Sequence, residues 1–366
     1  MTLALLFGMI NHQQQNRKIL MSYFSDTWRL AQCCQFYDPR LVKLYNPGTT
    51  TKKTSLTLDG KSKVQQKAIL NAKKLLRVLS EYFAKQPIHL RAWRISSELF
   101  PCYTLEHCEP WYQEIEEELS EIMFQCGEVA RRNDIRLSTH PAQYTVLGSP
   151  RSDVVSNSIK DLHYHALFGK MMGLEPEDFV INIHLQGLYG GKHSDGINRF
   201  STNFQYLDDY TQRALAVENE DKQKNGYDIK HVLELCQRIP TRATLDIHHY
   251  MCHRMTETVK VDGKNQKVRD VRPITHVDTL FKESVKTWKT VRPLFHVSQS
   301  FPLDNPDYWM KPQAHAPVLW DEELLSIWVP MLQYADFDIE AKNKEQATKQ
   351  AYRFVLEEET YAGEPL

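Results

Sequence analysis

Residues 135–144, Ile-Arg-Leu-Ser-Thr-His-Pro-Ala-Gln-Tyr, contain the pattern that decides the fold of this chain. Apolar and polar residues alternate at the start of the stretch, which is typical of a β-strand. Pro141 ends the strand, because proline cannot donate a ladder hydrogen bond and restricts the residue before it to extended geometry. His140 is therefore predicted at the carboxyl tip of a strand, and Gln143 and Tyr144 lie in the loop that follows. A single histidine in such a place is most often structural, so a functional interpretation depends on whether the arrangement recurs.

The arrangement does recur, because about eight strand-then-helix units follow one another along the 366 residues. Alternating strands and helices imply a parallel sheet with right-handed crossovers, and eight units suggest a single (β/α)8 TIM barrel. The predicted strands are residues 3–10, 89–97, 135–140, 178–185, 214–218, 243–248, 294–297 and 336–340. The predicted helices are residues 61–85, 111–132, 149–172, 200–213, 229–237, 281–291, 321–333 and 343–358.

We expect one domain over residues 1–366, with two insertions. Residues 11–60 are polar and are predicted to form an irregular N-terminal insertion. Residues 250–275 are predicted to form a loop insertion after the sixth strand, and the Asp-Gly pair at 262–263 indicates a surface hairpin within it.

The composition limits the class of protein. The formal net charge is −1, so the chain has no overall attraction for nucleic acid, and a DNA site would have to be a local basic patch. The seven cysteines are odd in number and irregularly spaced, which favours a reduced, intracellular protein over a disulfide framework. The apolar run at 3–10 lacks a basic n-region and a cleavage site. We therefore expect a cytoplasmic protein with no signal peptide and no contact with a membrane.

Acidic and histidine side chains cluster at the carboxyl ends of the predicted strands. In a TIM barrel these ends form the face where active sites lie, whereas unrelated residues would be scattered over both faces. Mixed imidazole and carboxylate ligands suit Mn²⁺, Zn²⁺ or Fe²⁺ better than Mg²⁺ or Ca²⁺. The number of ligands indicates roughly two or three ions, as in sites that cleave phosphate esters. The candidate metal ligands are Glu98, His140, His184, Glu218, Asp246, His249, His296, His315 and Glu340.

Short motifs along the chain resemble, in this order, those of the UV damage endonuclease family, a DNA-repair branch of the xylose-isomerase-like barrels. They are RISSELFP at 94–101, RLSTHPAQY at 136–144, IHLQG at 183–187, YGGK at 189–192, LAVENED at 215–221, LDIHH at 245–249 and IEAKNKE at 339–345. The resemblance implies a metal-dependent endonuclease that nicks DNA on the 5′ side of UV photoproducts such as pyrimidine dimers, by attack of metal-activated water on phosphate. It also implies Mn²⁺, or alternatively Zn²⁺ or Co²⁺, and a monomer associated with DNA.

The resemblance assigns roles to individual residues of the metal site. All the candidate ligands except Glu98 fall on the family's metal ligands, and Glu98 lies at a position that varies. Glu218, His296 and a lysine near phosphate, Lys192, are expected to act in catalysis. Where the family usually carries a lysine, two positions before His296, this chain has Leu294.

The same resemblance implies how double-stranded DNA with UV lesions is bound. Gln143 and Tyr144 fall on the pair of residues that probes the damaged bases. Because the barrel mouth is acidic, cations for the DNA backbone must come from its rim. Lys192 and the insertion after the sixth strand provide them, and the candidates in the insertion are Lys264, Lys267 and Arg269.

Two other functions fit the same residues. A sugar isomerase or epimerase on this barrel would use Glu218, Asp246 and Glu340 around one or two metals to move a proton. It would need neither a basic rim nor a probing dipeptide. A lesion-binding protein with a decayed metal site is the second alternative, and Leu294 is the residue that suggests it.

Overall fold

A computed structural model describes residues 28–222, 226–254, 256–261, 264–269, 277–302, 305 and 313–363. The predicted strand at 3–10 lies outside these residues. The strands within them are β1 (Leu30–Cys33), β2 (Ala92–Ile95), β3 (Arg136–Thr139), β4 (Phe179–His184), β5 (Leu215–Glu218), β6 (Arg242–Thr244), β7 (Thr256–Val261), β8 (Lys264–Arg269), β9 (Leu294–Val297) and β10 (Asp336–Ile339).

Eight of these strands form one parallel sheet in the order β6-β5-β4-β3-β2-β1-β10-β9. A parallel bridge between Asp246 and His296 links β9 to the chain just after β6, so the sheet curls round into a barrel. The two remaining strands, β7 and β8, pair with each other in antiparallel fashion. The TIM barrel and the hairpin in the insertion after the sixth strand are both confirmed.

The first barrel strand lies where the sequence predicts irregular structure. β1 pairs with β2 on one side and β10 on the other, and the helices Pro39–Tyr45 and Lys52–Ser55 follow it. The prediction of an irregular insertion over 11–60 is therefore wrong from β1 onward. A four-residue strand with a glutamine at its third position has a weak local pattern, and Gln32 is buried only because both neighbouring strands cover it.

Helices alternate with the strands around the barrel, because each helix buries one apolar face. In Gly60–Arg77, for example, Val64, Ala68 and Leu75 are buried at helical spacing. The region predicted as one helix at 200–213 is two helices, because Asp208 caps the second one by accepting a hydrogen bond from the backbone of Thr211. The remaining helices are Glu109–Gln113, Glu116–Arg132, Ser152–Met171, His193–Phe204, Asp209–Ala214, Ile229–Arg238, Ile247–Arg254, Val277–Thr287, Glu322–Trp328 and Glu345–Gly363.

The sixth strand ends earlier than predicted. β6 stops at Thr244, and the chain turns into the helix Ile247–Arg254 instead of continuing as a strand to residue 248. Asp246 Oδ1 accepts a hydrogen bond of 2.6 Å from the backbone N–H of His249, so this carboxylate caps the first turn. His249 therefore lies on a helix, one turn away from the carboxylate that was expected to share its strand end.

A buried ion cluster fills the amino-terminal end of the barrel. Asp336 is fully buried at the start of β10 and accepts hydrogen bonds from Arg136 at 2.6 Å and Arg292 at 2.7 Å. Its Oδ1 also accepts one of 2.9 Å from the backbone N–H of Arg29. Charge-assisted hydrogen bonds of this kind satisfy a carboxylate that would be costly to bury alone. No helix within the described ranges is long and apolar enough to cross a membrane.

Candidate metal centre

Eight of the nine candidate ligands converge at the carboxyl end of the barrel. They form three groups, and within each group one donor atom per residue lies within 4.8 Å of the others. The groups are His140 with His184 and Glu218, Glu218 with Asp246 and His296, and His249 with His315 and Glu340. Glu98 is exposed and belongs to none of the groups found in the described part of the chain.

Glu218, the last residue of β5, lies at the centre of the cluster. It is fully buried, and it faces His184 across the β4–β5 ladder because the two residues are register partners. Four imidazole rings surround its carboxylate, at 3.0 Å (His249 Nδ1), 3.1 Å (His296 Nδ1), 3.2 Å (His140 Nε2) and 3.6 Å (His184 Nε2). Since Glu218 belongs to two of the three groups, it is the candidate for a carboxylate that bridges two cations.

The carboxylates of the centre are held in their charged form. Burial opposes ionisation of Glu218, but His296 and His184 bring the pKa of its carboxyl well below the ordinary value. Burial likewise opposes ionisation of Glu340, and Arg94 and His296 lower the pKa of that carboxyl well below its usual range. Ionised carboxylates in a buried site are the form that binds metal.

Two histidines of the centre carry the matching positive charge. Burial disfavours protonation of His249, yet Asp246 and Glu218 raise the pKa of its imidazole well above the ordinary value. Against the same effect of burial, Glu218 and Glu340 raise the pKa of His296 to about 9. In the absence of a bound cation, protonated imidazoles thus balance the carboxylates. A cation that bound here would displace those protons.

Three polar residues complete the centre, although the strand-end analysis did not single them out. Asp338 is buried on β10 with one oxygen 3.4 Å from His296 Nε2 and 3.6 Å from Arg94 Nη1. Arg94 also donates to Glu340, and Asn182 on β4 donates to the carboxylate of Glu218. The signal for them was present, because Asp338 and Asn182 each lie two residues before a candidate ligand and so share its face of the strand.

The residues expected to contact DNA occupy the loops of the same face. Gln143 and Tyr144 form the centre of a turn closed by a hydrogen bond of 3.0 Å from Thr145 N to Ala142 O, and Tyr144 is 76% exposed. Lys192 is exposed at the start of the helix His193–Phe204, in the connection after β4. The structure places three further residues on strand β8 of the hairpin, namely Lys264, Lys267 and Arg269.

The fold and the site define the class of protein. A parallel eight-stranded barrel with grouped imidazole and carboxylate donors at its carboxyl face is a TIM-barrel protein with a candidate centre for divalent metal ions. The sequence pattern of the family described as UV-endonuclease UvdE matches residues 10–361, and the chain belongs to this family. The resemblance inferred from the short motifs is confirmed.

Individual relatives agree with the family. The UV-damage endonuclease of Schizosaccharomyces pombe is 31% identical over 310 residues, which are 81% of this chain but 45% of that protein. The chain therefore spans less than half of the relative's length. A crystal structure of SacUVDE is 25% identical with a TM-score of 0.71, covering 90% of this chain and 98% of that chain. Endonuclease IV from Thermus thermophilus, 14% identical with a TM-score of 0.50 over 91% of this chain and 99% of that chain, shares the fold.

Proposed function

We propose that this chain is a metal-dependent DNA-repair endonuclease that nicks duplex DNA on the 5′ side of UV photoproducts and leaves a 3′ hydroxyl. The observation that carries the proposal is the convergence of eight imidazole and carboxylate donors into three groups, two of which share Glu218. Membership of the UV-endonuclease UvdE family supports damaged DNA as the substrate.

The donor set fits divalent cations, with Mn²⁺ as the first candidate and Zn²⁺ or Co²⁺ as alternatives. Within the described residues, Glu218 Oε1, Asp246 Oδ2 and both ring nitrogens of His296 are buried without a hydrogen-bond partner. Buried polar atoms of this kind are costly unless a ligand supplies the missing interaction. Divalent ions held by the eight donors would supply Lewis acidity, which activates water and neutralises charge on the phosphate oxygens.

The chain orients its ligands through backbone contacts. His140 Nδ1 lies 2.9 Å from the carbonyl oxygen of Pro141, which leaves Nε2 facing Glu218 at 3.2 Å. His315 Nδ1 lies 2.6 Å from the carbonyl oxygen of Glu340 in the same way. A ring nitrogen that donates to a carbonyl determines the tautomer and the ring orientation, so the other nitrogen is available as a ligand. Lys192 is exposed on the same face and would bind a phosphate of the DNA backbone.

Recognition of the lesion is assigned to the exposed turn that contains Gln143 and Tyr144. A crosslinked, poorly stacked dipyrimidine is less costly to extrude from the duplex than a sound base pair, by a few kcal/mol. The ring of Tyr144, 76% exposed, would stack in the gap that remains. The amide of Gln143 would form hydrogen bonds with the bases that have lost their partners.

The two rival functions receive less support from the site. A lesion-binding protein with a decayed metal centre would have lost ligands, whereas all the donors except Glu98 converge here in spite of Leu294. An isomerase has no use for an exposed aromatic turn beside the metal ligands. The tested difference between the three functions is the chemistry on DNA.

The decisive experiment uses a labelled duplex with a single cyclobutane pyrimidine dimer and a matched undamaged duplex. Both are incubated with the chain after EDTA treatment and reloading with Mn²⁺, Zn²⁺ or Co²⁺, and the products are compared with size markers. We expect a nick at the 5′ side of the dimer that requires an added metal and is absent from the undamaged duplex. Tight lesion binding without a nick at any metal would support the lesion-binding alternative and contradict the proposal.

A further inference from the structure

A polar stripe runs along the helix Ser152–Met171, on the face that covers the end of β3. Its members are Ser158, Asp161 and His165, which are spaced three and four residues apart and therefore share one face of the helix. Ser158 and His165 are fully buried. None of the three belongs to the metal-ligand groups found in the described residues.

The stripe holds both sides of the turn that contains Gln143 and Tyr144. His165 Nδ1 forms a hydrogen bond of 2.5 Å with the hydroxyl of Thr139, the last residue of β3, on the near side of the turn. Beyond the turn, Asp161 accepts one of 2.5 Å from the hydroxyl of Thr145, and Ser158 accepts one of 2.8 Å from the backbone N–H of residue 146.

The exposure of the loop changes abruptly at these contacts. Ala142, Gln143 and Tyr144 are exposed, whereas Pro141 before them and residues 145–149 after them are buried. The turn therefore projects three residues from a base that is held on both sides. An exposed aromatic ring that must enter a duplex loses less conformational freedom on binding if its backbone is already held in place.

The contacts of the stripe differ from ordinary packing. Apolar side chains would fill the space beneath β3 without the desolvation cost of buried polar groups. His165 Nε2 is buried without a hydrogen-bond partner in the described part of the chain, 3.9 Å from a carboxylate oxygen of Asp161. Burial lowers the pKa of His165 to about 3, so the ring is neutral and its contribution is the single directional bond to Thr139. A polar contact that is costly to bury but specific in direction sets the position of a loop better than an apolar contact does.

We propose that Ser158, Asp161 and His165 are positioning residues for lesion recognition, which hold the Gln143–Tyr144 turn at the height and angle that its entry into damaged DNA requires. The inference rests on the proposed function, because it assigns the discrimination between damaged and undamaged duplex to the support of the turn. Loosening the stripe should reduce that discrimination without emptying the metal centre.

The test removes one hydroxyl while keeping the shape of the side chain. Thr145→Val deletes the bond to Asp161, and Thr145→Ser keeps it, so the two variants form a matched pair. Affinities for a dimer-containing and an undamaged duplex are measured by fluorescence anisotropy in an inactive Glu218→Gln background. Nicking at saturating duplex and Mn²⁺ content are measured with Glu218 restored.

We expect Thr145→Val to lose roughly tenfold of the preference for damaged DNA, a loss comparable to removal of one stacked base. Thr145→Ser should retain the preference. The nicking rate at saturation and the Mn²⁺ content should stay at wild-type values in both variants. Asp161→Asn should reduce the preference as well, and its effect should not add to that of Thr145→Val, because both changes break the same bond.

The outcomes separate this inference from the proposed function. If the unmodified chain neither nicks nor prefers the dimer-containing duplex, the proposed function fails and the inference fails with it. If it does both and Thr145→Val keeps the full preference, only the inference is overturned. A loss of Mn²⁺ and of saturated nicking in parallel with the preference would also overturn it, because the stripe would then be a general support of the barrel. Should Thr145→Val fail to fold by circular dichroism, Asp161→Asn against a His163→Gln control on the same helix decides the question.

Discussion

The acid sensitivity of this barrel should depend measurably on one buried histidine, His165. Burial lowers the pKa of its imidazole to about 3, and the neighbouring His140 adds to the effect, whereas the ordinary value is 6.5. Below pH 6.5 the unfolded chain therefore binds a proton that the folded chain rejects. The stability is complete above pH 6.5 and decreases as the pH falls towards 3. Between pH 7.5 and pH 5.5 this single group should lower the free energy of unfolding by about 1.4 kcal/mol.

Urea unfolding of metal-free protein at the two pH values measures this difference for the wild type and for His165→Gln. We expect the variant to lose about 1.4 kcal/mol of the pH-dependent change, even if its stability at pH 7.5 is lower because a buried contact has been altered. His163→Gln, a change of the same type in a half-exposed side chain of the same helix, should keep the wild-type difference. The reasoning is refuted if His165→Gln retains the full change in stability between pH 7.5 and pH 5.5.

Further predictions concern the metal centre and the DNA surface. Glu218→Gln should reduce nicking by at least about 100-fold, because an amide cannot supply the charge that binds and bridges cations; metal content and nicking rate are the measurements. Glu98→Gln is the matched control and should nick at the wild-type rate, since Glu98 lies outside the three ligand groups. Tyr144→Ala should weaken binding to dimer-containing duplex roughly tenfold or more at unchanged metal content, and equal affinity would remove the ring from the recognition role. Alanine at three hairpin positions together should weaken binding to damaged and undamaged duplex alike and flatten the salt dependence by about one unit per lost phosphate contact, the positions being Lys264, Lys267 and Arg269.

The sequence by itself determined the barrel and most of its metal ligands. Alternating strand and helix patterns imply parallel strands, and parallel strands bring all their carboxyl ends to one face. A histidine or an acid at a strand end is therefore a prediction about the tertiary structure, although it is made from local pattern alone. His140, His184 and Glu218 needed nothing beyond this rule to be brought together, because each closes or follows a strand of regular pattern.

Only the tertiary structure decided which strand opens the barrel and which residues surround the ligands. β1 has too weak a pattern to be recognised, and it exists as a strand because β2 and β10 supply its hydrogen bonds from far along the chain. Glu98 follows a strand as His140 does, yet its side chain is exposed, because the turn after β2 directs it away from the centre. Asp338 contacts His296 through the pairing of β9 with β10. These differences have one physical reason: local sequence determines periodicity and strand ends, whereas the direction of a side chain and its partners depend on chain segments that only folding brings into contact.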